Sequence, residues 1–158
     1  MNILFVCTGN TCRSPMAEGM FKSLLKENNI DNIIAGSAGI SAFEGDSANE
    51  KAIYTLKNKG IDISEHKSMQ LTKEIIKNSD LILTMTMGHK KMIANALPEY
   101  SSKVFTIKEY VYIKSNEDLT GKNLDIADPY GLDYYIYEKC AEEIEENLKK
   151  IIRTMDRR

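Results

Sequence analysis

The strongest constraint on the fold is an alternation of short apolar runs with helical patterns. Four runs rich in β-branched residues predict strands at residues 2–6, 32–36, 80–84 and 103–107. Nearly continuous apolar composition is typical of parallel strands that are buried on both faces, and the connecting segments are long enough for helical crossovers. We therefore predict an α/β fold in which helices cover both faces of a parallel sheet.

Length and charge narrow the possible functions. The chain has 158 residues, the usual size of one domain, and we predict a single domain over residues 1–158. Twenty-one basic and 23 acidic residues give a net charge of −2, which argues against a nucleic-acid or acidic-membrane partner. Three cysteines are too few for a disulfide scaffold, and we find neither a leader pattern nor a membrane-spanning apolar run. We expect a soluble, cytoplasmic monomer with reduced thiols.

The segment CTGNTCRSP, residues 7–15, directly follows the first predicted strand. Ser14 as N-cap and Pro15 at the first helical position predict a helix start, so the loop between strand and helix is short. A helix N-terminus offers free N–H donors and partial positive charge, and Arg13 can grip two oxygens of an anion. The same surroundings favour the thiolate form of Cys7. We predict that the residues around Cys7 and Arg13 form a phosphate-binding loop, namely Thr8, Gly9, Asn10, Thr11, Cys12 and Ser14. Gly9 and Asn10 tolerate the unusual backbone angles that such a loop needs.

Transfer of a phosphoryl group to a cysteine also needs a proton donor for the leaving group. The best candidate is Asp128 in DIADPYG, where Pro129 stiffens the backbone and Tyr130 follows on a loop. Asp125, three residues earlier, is the alternative. A positioned carboxyl acid typically contributes about two to four powers of ten in rate. We predict that Cys7 attacks phosphorus and that Asp128 protonates the leaving group.

Four motifs resemble the low-molecular-weight protein tyrosine phosphatase family, in the family's order and over essentially the whole chain. They are the loop at residues 7–15, SAG at 37–39, SEH at 64–66 and DPY at 128–130. The resemblance implies a three-layer, doubly wound sandwich around a four-stranded parallel sheet, and an enzyme that uses no metal or cofactor. It also implies that Cys7 forms a phosphocysteine, that Arg13 clamps the phosphate, and that Asp128 is first the acid and then the base for water.

The resemblance assigns further polar residues to supporting roles. Ser14 would bond the thiolate, and a network of Asn10, Ser37 and His66 would fix the strained shape of the loop. Cys12 is either an inert neighbour or the partner that forms a protective disulfide when Cys7 is oxidised. We predict the redox role, because members of the family carry this pair of cysteines.

The substrate prediction depends on Thr11. Tyrosine-specific members usually carry a bulky aliphatic residue there, whereas the loop and MTMGHK at residues 85–90 are similar to bacterial protein arginine phosphatases. A hydroxyl offers a hydrogen-bonding partner near the reacting P–N group, and a smaller wall disfavours a flat ring. We predict hydrolysis of phosphoarginine in proteins, with inorganic phosphate as product and with Thr11 and Tyr130 lining the substrate pocket.

Three other functions remain as alternatives. Phosphotyrosine in proteins is the runner-up substrate, and a non-catalytic phosphate-binding module would use the same loop. The related arsenate reductases add two cysteines near the third strand, but residues 81–91 contain none and Cys140 falls on the apolar face of the last helix. Arsenate reduction is therefore the least favoured alternative, and Cys140 is predicted to be a core residue.

Overall fold

The computed structural model describes residues 1–155 and has a four-stranded sheet at its centre. The strands are β1 (Asn2–Cys7), β2 (Ile34–Gly39), β3 (Leu81–Thr84) and β4 (Val104–Thr106). They are all parallel and lie in the order β2-β1-β3-β4. The predicted four-stranded parallel sheet is confirmed. The last three residues of the predicted domain, 156–158, lie outside the described residues.

Helices cover both faces of the sheet. Those within residues 1–155 are α1 (Arg13–Glu27), α2 (Glu50–Lys57), α3 (Lys73–Asn78), α4 (Met87–Ala96), α5 (Ile107–Lys114) and α6 (Tyr134–Met155). Side chains alternate along β1: Ile3 and Phe5 join the core beneath α1 and α6, whereas Leu4 and Val6 join the core beneath α3 and α4. Both cores are buried, which confirms the predicted three-layer sandwich.

The long helix α6 closes the larger core. Its buried residues are Tyr137, Cys140, Ala141, Ile144, Leu148, Ile151 and Ile152, at the three- and four-residue steps expected of one helical face. Cys140 is 8% exposed, so its predicted place in the core is confirmed. Among residues 1–155, no helix is both long enough and apolar enough to cross a membrane.

Several predicted strand boundaries differ from those of the structure, most of all in β2. β2 runs on to Gly39 rather than ending at residue 36, because Cys7 at the end of β1 is paired with Gly39. Glycine and serine are poor strand formers, and they concealed this part of the strand in the sequence. β4 ends at Thr106, which caps α5: its hydroxyl accepts a hydrogen bond from the N–H of Glu109, and the Glu109 carboxylate accepts one from the N–H of Thr106.

The topology brings the first loop to the usual ligand-binding edge of such a sheet. β2 lies on one side of β1 and β3 on the other, so the direction of the crossovers reverses beside β1. Open α/β sheets bind ligands at the carboxyl ends of their strands where this reversal occurs. Cys7 is the last residue of β1 and Arg13 is the first of α1, which places the loop between them at that edge.

Candidate active site

The Cys7 sulfur is surrounded by hydrogen-bonding groups of the following loop. Its Sγ lies 2.8 Å from the Oγ of Ser14 and accepts a hydrogen bond from the backbone N–H of Asn10 at 3.3 Å. The prediction that Ser14 caps α1 is wrong, because the helix begins at Arg13 with Cys12 as its N-cap residue. The Ser14 hydroxyl lies within the first turn and contacts the sulfur instead. Polar hydrogens and a helix N-terminus around a sulfur are suited to a thiolate.

Asn10 holds the loop in its unusual shape. Its φ of 56° lies in the left-handed region, which asparagine tolerates better than most residues. Its buried side chain donates to Ser14 Oγ at 2.8 Å and to Ser37 Oγ at 2.9 Å, and accepts from the N–H of Met69 at 2.9 Å. The strained backbone is therefore fixed by three side-chain hydrogen bonds.

The carbonyl of Asn10 is fixed from another part of the chain. Ser68 Oγ donates to it at 2.8 Å, and His66 Nε2 lies 2.8 Å from it. Because a carbonyl oxygen only accepts, Nε2 of His66 carries the hydrogen of this contact. The structure thus brings together Asn10, Ser37 and His66, as the resemblance implied. Sequence analysis did not identify Ser68.

Glu18 extends the same network, and it too was missed. The Ser37 hydroxyl donates to Glu18 Oε2 at 2.5 Å, and Lys22 Nζ donates to Glu18 Oε1 at 2.6 Å. Glu18 follows Ser14 by four residues on α1, so both side chains lie on the same face of the helix. That spacing could have indicated Glu18, whereas nothing in the local sequence marks Ser68.

The SAG motif has a steric reason at Gly39. A Cβ atom at Gly39 would lie 2.6 Å from the Thr8 carbonyl oxygen and 2.9 Å from the Asn10 nitrogen. Both are backbone atoms of the loop, which cannot yield as a flexible side chain can. Any side chain at Gly39 would therefore displace the loop that surrounds Cys7.

Arg13 is buried at the start of α1 and contacts the segment that carries Asp128. The residue is 4% exposed, and its Nη1 donates to the carbonyl of Ile126 at 2.9 Å. Its Nη2 lies 3.5 Å from Oδ2 of Asp128, whose side chain is 51% exposed. Within residues 1–155, the buried Nε of Arg13 has no hydrogen-bond partner. The two Nη atoms of the guanidinium thus contact the protein, whereas its Nε–H is able to donate a hydrogen bond to an anion.

The two candidate acids have different surroundings. Oδ1 of Asp125 accepts a hydrogen bond from the N–H of Met87 at 2.8 Å, at the first residue of α4. Asp128 instead faces Arg13, and its Oδ1 accepts from the N–H of Tyr130 at 3.1 Å. Asp125 therefore stabilises a helix start, whereas Asp128 is the carboxylate that lies next to the buried arginine.

The residues predicted for the substrate pocket are accessible. Thr11 is half-buried in the loop, and its carbonyl accepts a hydrogen bond from the N–H of Asn49 at 2.8 Å. Tyr130 is 69% exposed, two residues after Asp128. Both side chains can therefore meet a ligand without a change in the core.

The other two thiols have surroundings that favour protonation. Cys12 is 5% exposed, and its Sγ lies 3.2 Å from the hydroxyl of Tyr137. Burial raises the pKa of Cys12, although hydrogen bonds with Tyr137 and Thr11 oppose the shift. Burial likewise raises the pKa of Cys140 to about 12. All three cysteines of the chain are unpaired in this structure.

Comparisons with known proteins bear on this arrangement. Residues 2–158 match the family described as low molecular weight phosphotyrosine protein phosphatase. The chain belongs to this family. A protein-arginine-phosphatase of Bacillus subtilis is 42% identical over 100% of both chains, and a probable low molecular weight protein-tyrosine-phosphatase of Ralstonia nicotianae is 35% identical over 92% of this chain and 90% of that protein. A solved YwlE arginine phosphatase, a C7S mutant with a phosphorylated active-site serine, has a TM-score of 0.87 and 41% identity, covering 97% of this chain and 94% of its own.

Membership of the low molecular weight phosphatase family confirms the predicted family and fold and makes the protein a phosphatase. At one edge of its sheet the phosphatase has a sulfur that accepts a hydrogen bond from the backbone N–H of Asn10, a buried cation and an exposed carboxylate. Such an arrangement can attack phosphorus, stabilise the charge on its oxygens and transfer a proton. Within residues 1–155, no three His, Cys, Asp or Glu side chains are grouped as a metal site would require.

Proposed function

We propose that this phosphatase hydrolyses phosphoarginine in proteins through a phosphocysteine intermediate. The proposal rests on Thr11, whose small hydroxyl-bearing side chain lies in the loop that surrounds the Cys7 sulfur. It is supported by the similarity over the full chain to a protein-arginine-phosphatase. The substrate would thus be a phosphorylated protein, and the product inorganic phosphate.

In the first step, the Cys7 thiolate attacks phosphorus and the P–N bond breaks. The Ser14 hydroxyl and the N–H of Asn10 stabilise the thiolate before attack. Arg13 binds the phosphoryl oxygens, with the loop N–H groups as further donors. Asp128 gives its proton to the departing guanidino nitrogen, which leaves as neutral arginine guanidine and then takes up a proton from water. The products of this step are phosphocysteine and dephosphorylated protein.

In the second step, water attacks phosphocysteine and the S–P bond breaks. Asp128, now ionised, accepts a proton from this water, and the Cys7 thiolate is released with inorganic phosphate. The proposal for Asp128 rather than Asp125 is supported by the 3.5 Å contact of Asp128 with Arg13. Asp125 is occupied by the N–H of Met87. Asn10, Ser37 and His66 maintain the loop through both steps.

Selectivity for phosphoarginine follows from the chemistry of the leaving group. A guanidino group carries N–H donors, whose hydrogen bonds the Thr11 hydroxyl and the carbonyl oxygen of the protonated Asp128 can accept. Phosphotyrosine is the second candidate substrate, because Tyr130 offers an exposed aromatic ring for stacking and because a probable tyrosine phosphatase is 35% identical. The two candidate substrates present the same phosphoryl group and differ only in the leaving group, so the residues that contact the leaving group must decide between them.

The test is the ratio of kcat/KM for a phosphoarginine peptide to that for a phosphotyrosine peptide of the same sequence at neutral pH. We expect the wild type to prefer phosphoarginine. Thr11→Ile should shift the ratio toward phosphotyrosine, whereas Thr11→Ser, which retains the hydroxyl, should keep it. A wild-type preference for phosphotyrosine would overturn the substrate assignment. An unchanged ratio in Thr11→Ile would overturn the role of Thr11 alone.

We further propose that Cys12 protects Cys7 under oxidation. A peroxide would convert the Cys7 thiolate to a sulfenic acid, and the Cys12 thiol would condense with it to form a disulfide and water. The proposal is supported by the burial of both thiols in one loop. Inactivation of the wild type by hydrogen peroxide should be reversed by dithiothreitol. Inactivation of Cys12→Ser should be largely irreversible, and equal recovery of both proteins would refute the proposal.

We also propose that the whole chain acts as one cytoplasmic, monomeric domain that does not bind nucleic acid. The cytoplasmic assignment is supported by three unpaired cysteines, and the single domain by the one sheet to which the four strands of residues 1–155 belong. Light scattering after gel filtration should give the mass of one chain, 17.9 kDa. A mass of two chains at micromolar concentration would contradict the monomer.

A further inference from the structure

A histidine outside the predicted site contacts the phosphate-binding loop. His89, on α4, is 7% exposed, and its Nε2 lies 2.9 Å from Oγ1 of Thr8, the residue after Cys7. The backbone of His89 is held at the start of its helix: Oγ1 of Thr86 accepts a hydrogen bond from the backbone N–H of His89 at 3.2 Å. Asp125 accepts one from the N–H of Met87 in the same turn. The imidazole therefore meets the loop from a fixed position.

The other ring nitrogen of His89 indicates which atom carries the hydrogen. Its Nδ1 is buried and has no hydrogen-bond partner in the part of the chain that the structure describes, residues 1–155. A buried N–H without an acceptor is less tolerable than a bare lone pair, so the hydrogen belongs on Nε2. Burial, and then the charge of Arg13, lower the pKa of His89 to about 4, while Asp125 and Asp128 act in the opposite direction. The ring is therefore neutral at neutral pH.

We propose that His89 is a positioning residue that donates from Nε2 to the Thr8 hydroxyl and thereby leaves the Thr8 hydrogen free to donate to an oxygen of the phosphoryl group. With one lone pair of Oγ1 engaged by the imidazole, the O–H of Thr8 is confined to the remaining directions around its C–O bond. The acceptors that a bound substrate offers next to Cys7 are phosphoryl oxygens. The inference rests on the proposed function, since it concerns the same anion site.

His89 would complete a two-sided support for the loop. The network around Asn10 holds the loop from its buried side, through Ser37 and His66. The contact with His89 holds the loop at Thr8, which is exposed to solvent. Loss of the second support should weaken binding of any phosphoryl anion, because the proposed hydrogen bond of the Thr8 hydroxyl goes to the anion and not to the leaving group. The effect should appear in KM and in phosphate affinity more than in the acid-dependent step.

The experiment compares three replacements of His89. In His89→Gln, the side-chain amide nitrogen can occupy the position of Nε2 and donate, whereas His89→Asn is too short and His89→Leu has no donor. The probe is inorganic phosphate, whose dissociation constant is measured by calorimetry and needs no turnover. We expect His89→Gln to bind within about twofold of wild type, and His89→Asn and His89→Leu to bind about tenfold more weakly, as for loss of a hydrogen bond to a charged group.

A double-mutant cycle tests whether His89 acts through Thr8. Thr8→Val should weaken phosphate binding by the same factor as His89→Leu, Thr8→Ser should keep binding, and the double variant should lose no more than Thr8→Val alone. Additive losses, unchanged affinity in His89→Leu, or equal binding by the Gln and Leu variants would overturn the proposal. Because these readouts use phosphate, they remain valid even if phosphoarginine proves not to be the substrate.

A measurement on the unaltered protein covers the case in which variants fold poorly. Nitrogen-15 NMR of the wild type at neutral pH distinguishes the two tautomers of a neutral histidine. The proposal requires a hydrogen on Nε2 of His89. A hydrogen on Nδ1 would overturn it regardless of the variants, since Thr8 would then have to donate toward the ring.

Discussion

Burial of His89 should make the stability of this phosphatase depend on pH. The pKa of His89 falls from 6.5 to about 4 in the folded protein, first because of burial and then because of Arg13. Between pH 6.5 and about pH 4, His89 is protonated in the unfolded chain but not in the folded chain. The folded state therefore loses stability as the pH falls through this range. The contribution is fully present above pH 6.5 and is lost on acidification to about pH 4.

The magnitude follows from the difference between the two pKa values. A shift of about 2.5 units at about 1.4 kcal/mol per unit corresponds to a loss of roughly 3 kcal/mol in the free energy of unfolding between pH 7 and pH 4. Because the residue is 7% exposed, solvent screens this effect little. With a urea dependence of about 1 to 3 kcal/mol per molar, the midpoint of unfolding should fall by about 1 to 3 M from this group alone.

The assay is urea unfolding of wild type and His89→Gln at several pH values from 7 to 4. Glutamine does not ionise, so the variant reports the pH dependence that arises from all other groups. The difference in unfolding free energy between the two proteins should change by roughly 3 kcal/mol over this range, with wild type losing more. Parallel curves would refute the reasoning, because they would mean that His89 takes up its proton equally well in both states.

Further predictions concern the proposed catalytic residues and Cys140. Cys7→Ser should abolish turnover yet bind phosphate in calorimetry, and loss of binding would show that the sulfur is needed to form the loop. Asp128→Asn should lower kcat by about two to four powers of ten in single-turnover assays. Asp125→Ala should mainly destabilise the fold, by about 1 kcal/mol in urea unfolding. The opposite result for the two variants would make Asp125 the acid. Cys140→Ser should keep kcat/KM within about twofold, and an inactive but folded variant would favour a thiol relay.

The sequence predicted those parts of the site that lie close together along the chain. Cys7 and Arg13 are six positions apart, and a strand end followed by a helix start determines their arrangement. The N-cap was predicted at Ser14 but lies at Cys12, because local capping preference did not take into account the contact of Ser14 with the Cys7 sulfur. Here the local capping preference of Ser14 is overridden by its contact with the Cys7 sulfur, which exists only in the folded loop.

Contacts between distant segments were not predictable in the same way. Ser68 and His89 reach the loop across 58 and 81 positions. Ser68 lies in no pattern that marks it, and MTMGHK, which contains His89, indicated similarity to arginine phosphatases but not a contact with Thr8. The helix α5 is different, because the spacing of Thr106 and Glu109 is that of a capping box and was present in the sequence. It was overlooked because Ile107 was read as the end of an apolar strand.

The long-range hydrogen bonds of Asn10 determine when the anion site can form during synthesis on the ribosome. Its partners Ser37, His66 and Met69 follow it by 27, 56 and 59 residues, and the Arg13 contact with Ile126 spans 113. At about 5 to 20 residues per second, Cys7 leaves the exit tunnel seconds before the segments that shape its loop. A nascent or truncated chain therefore carries the cysteine without its anion site. Appearance of phosphate binding during translation would mark the moment at which the fold is complete.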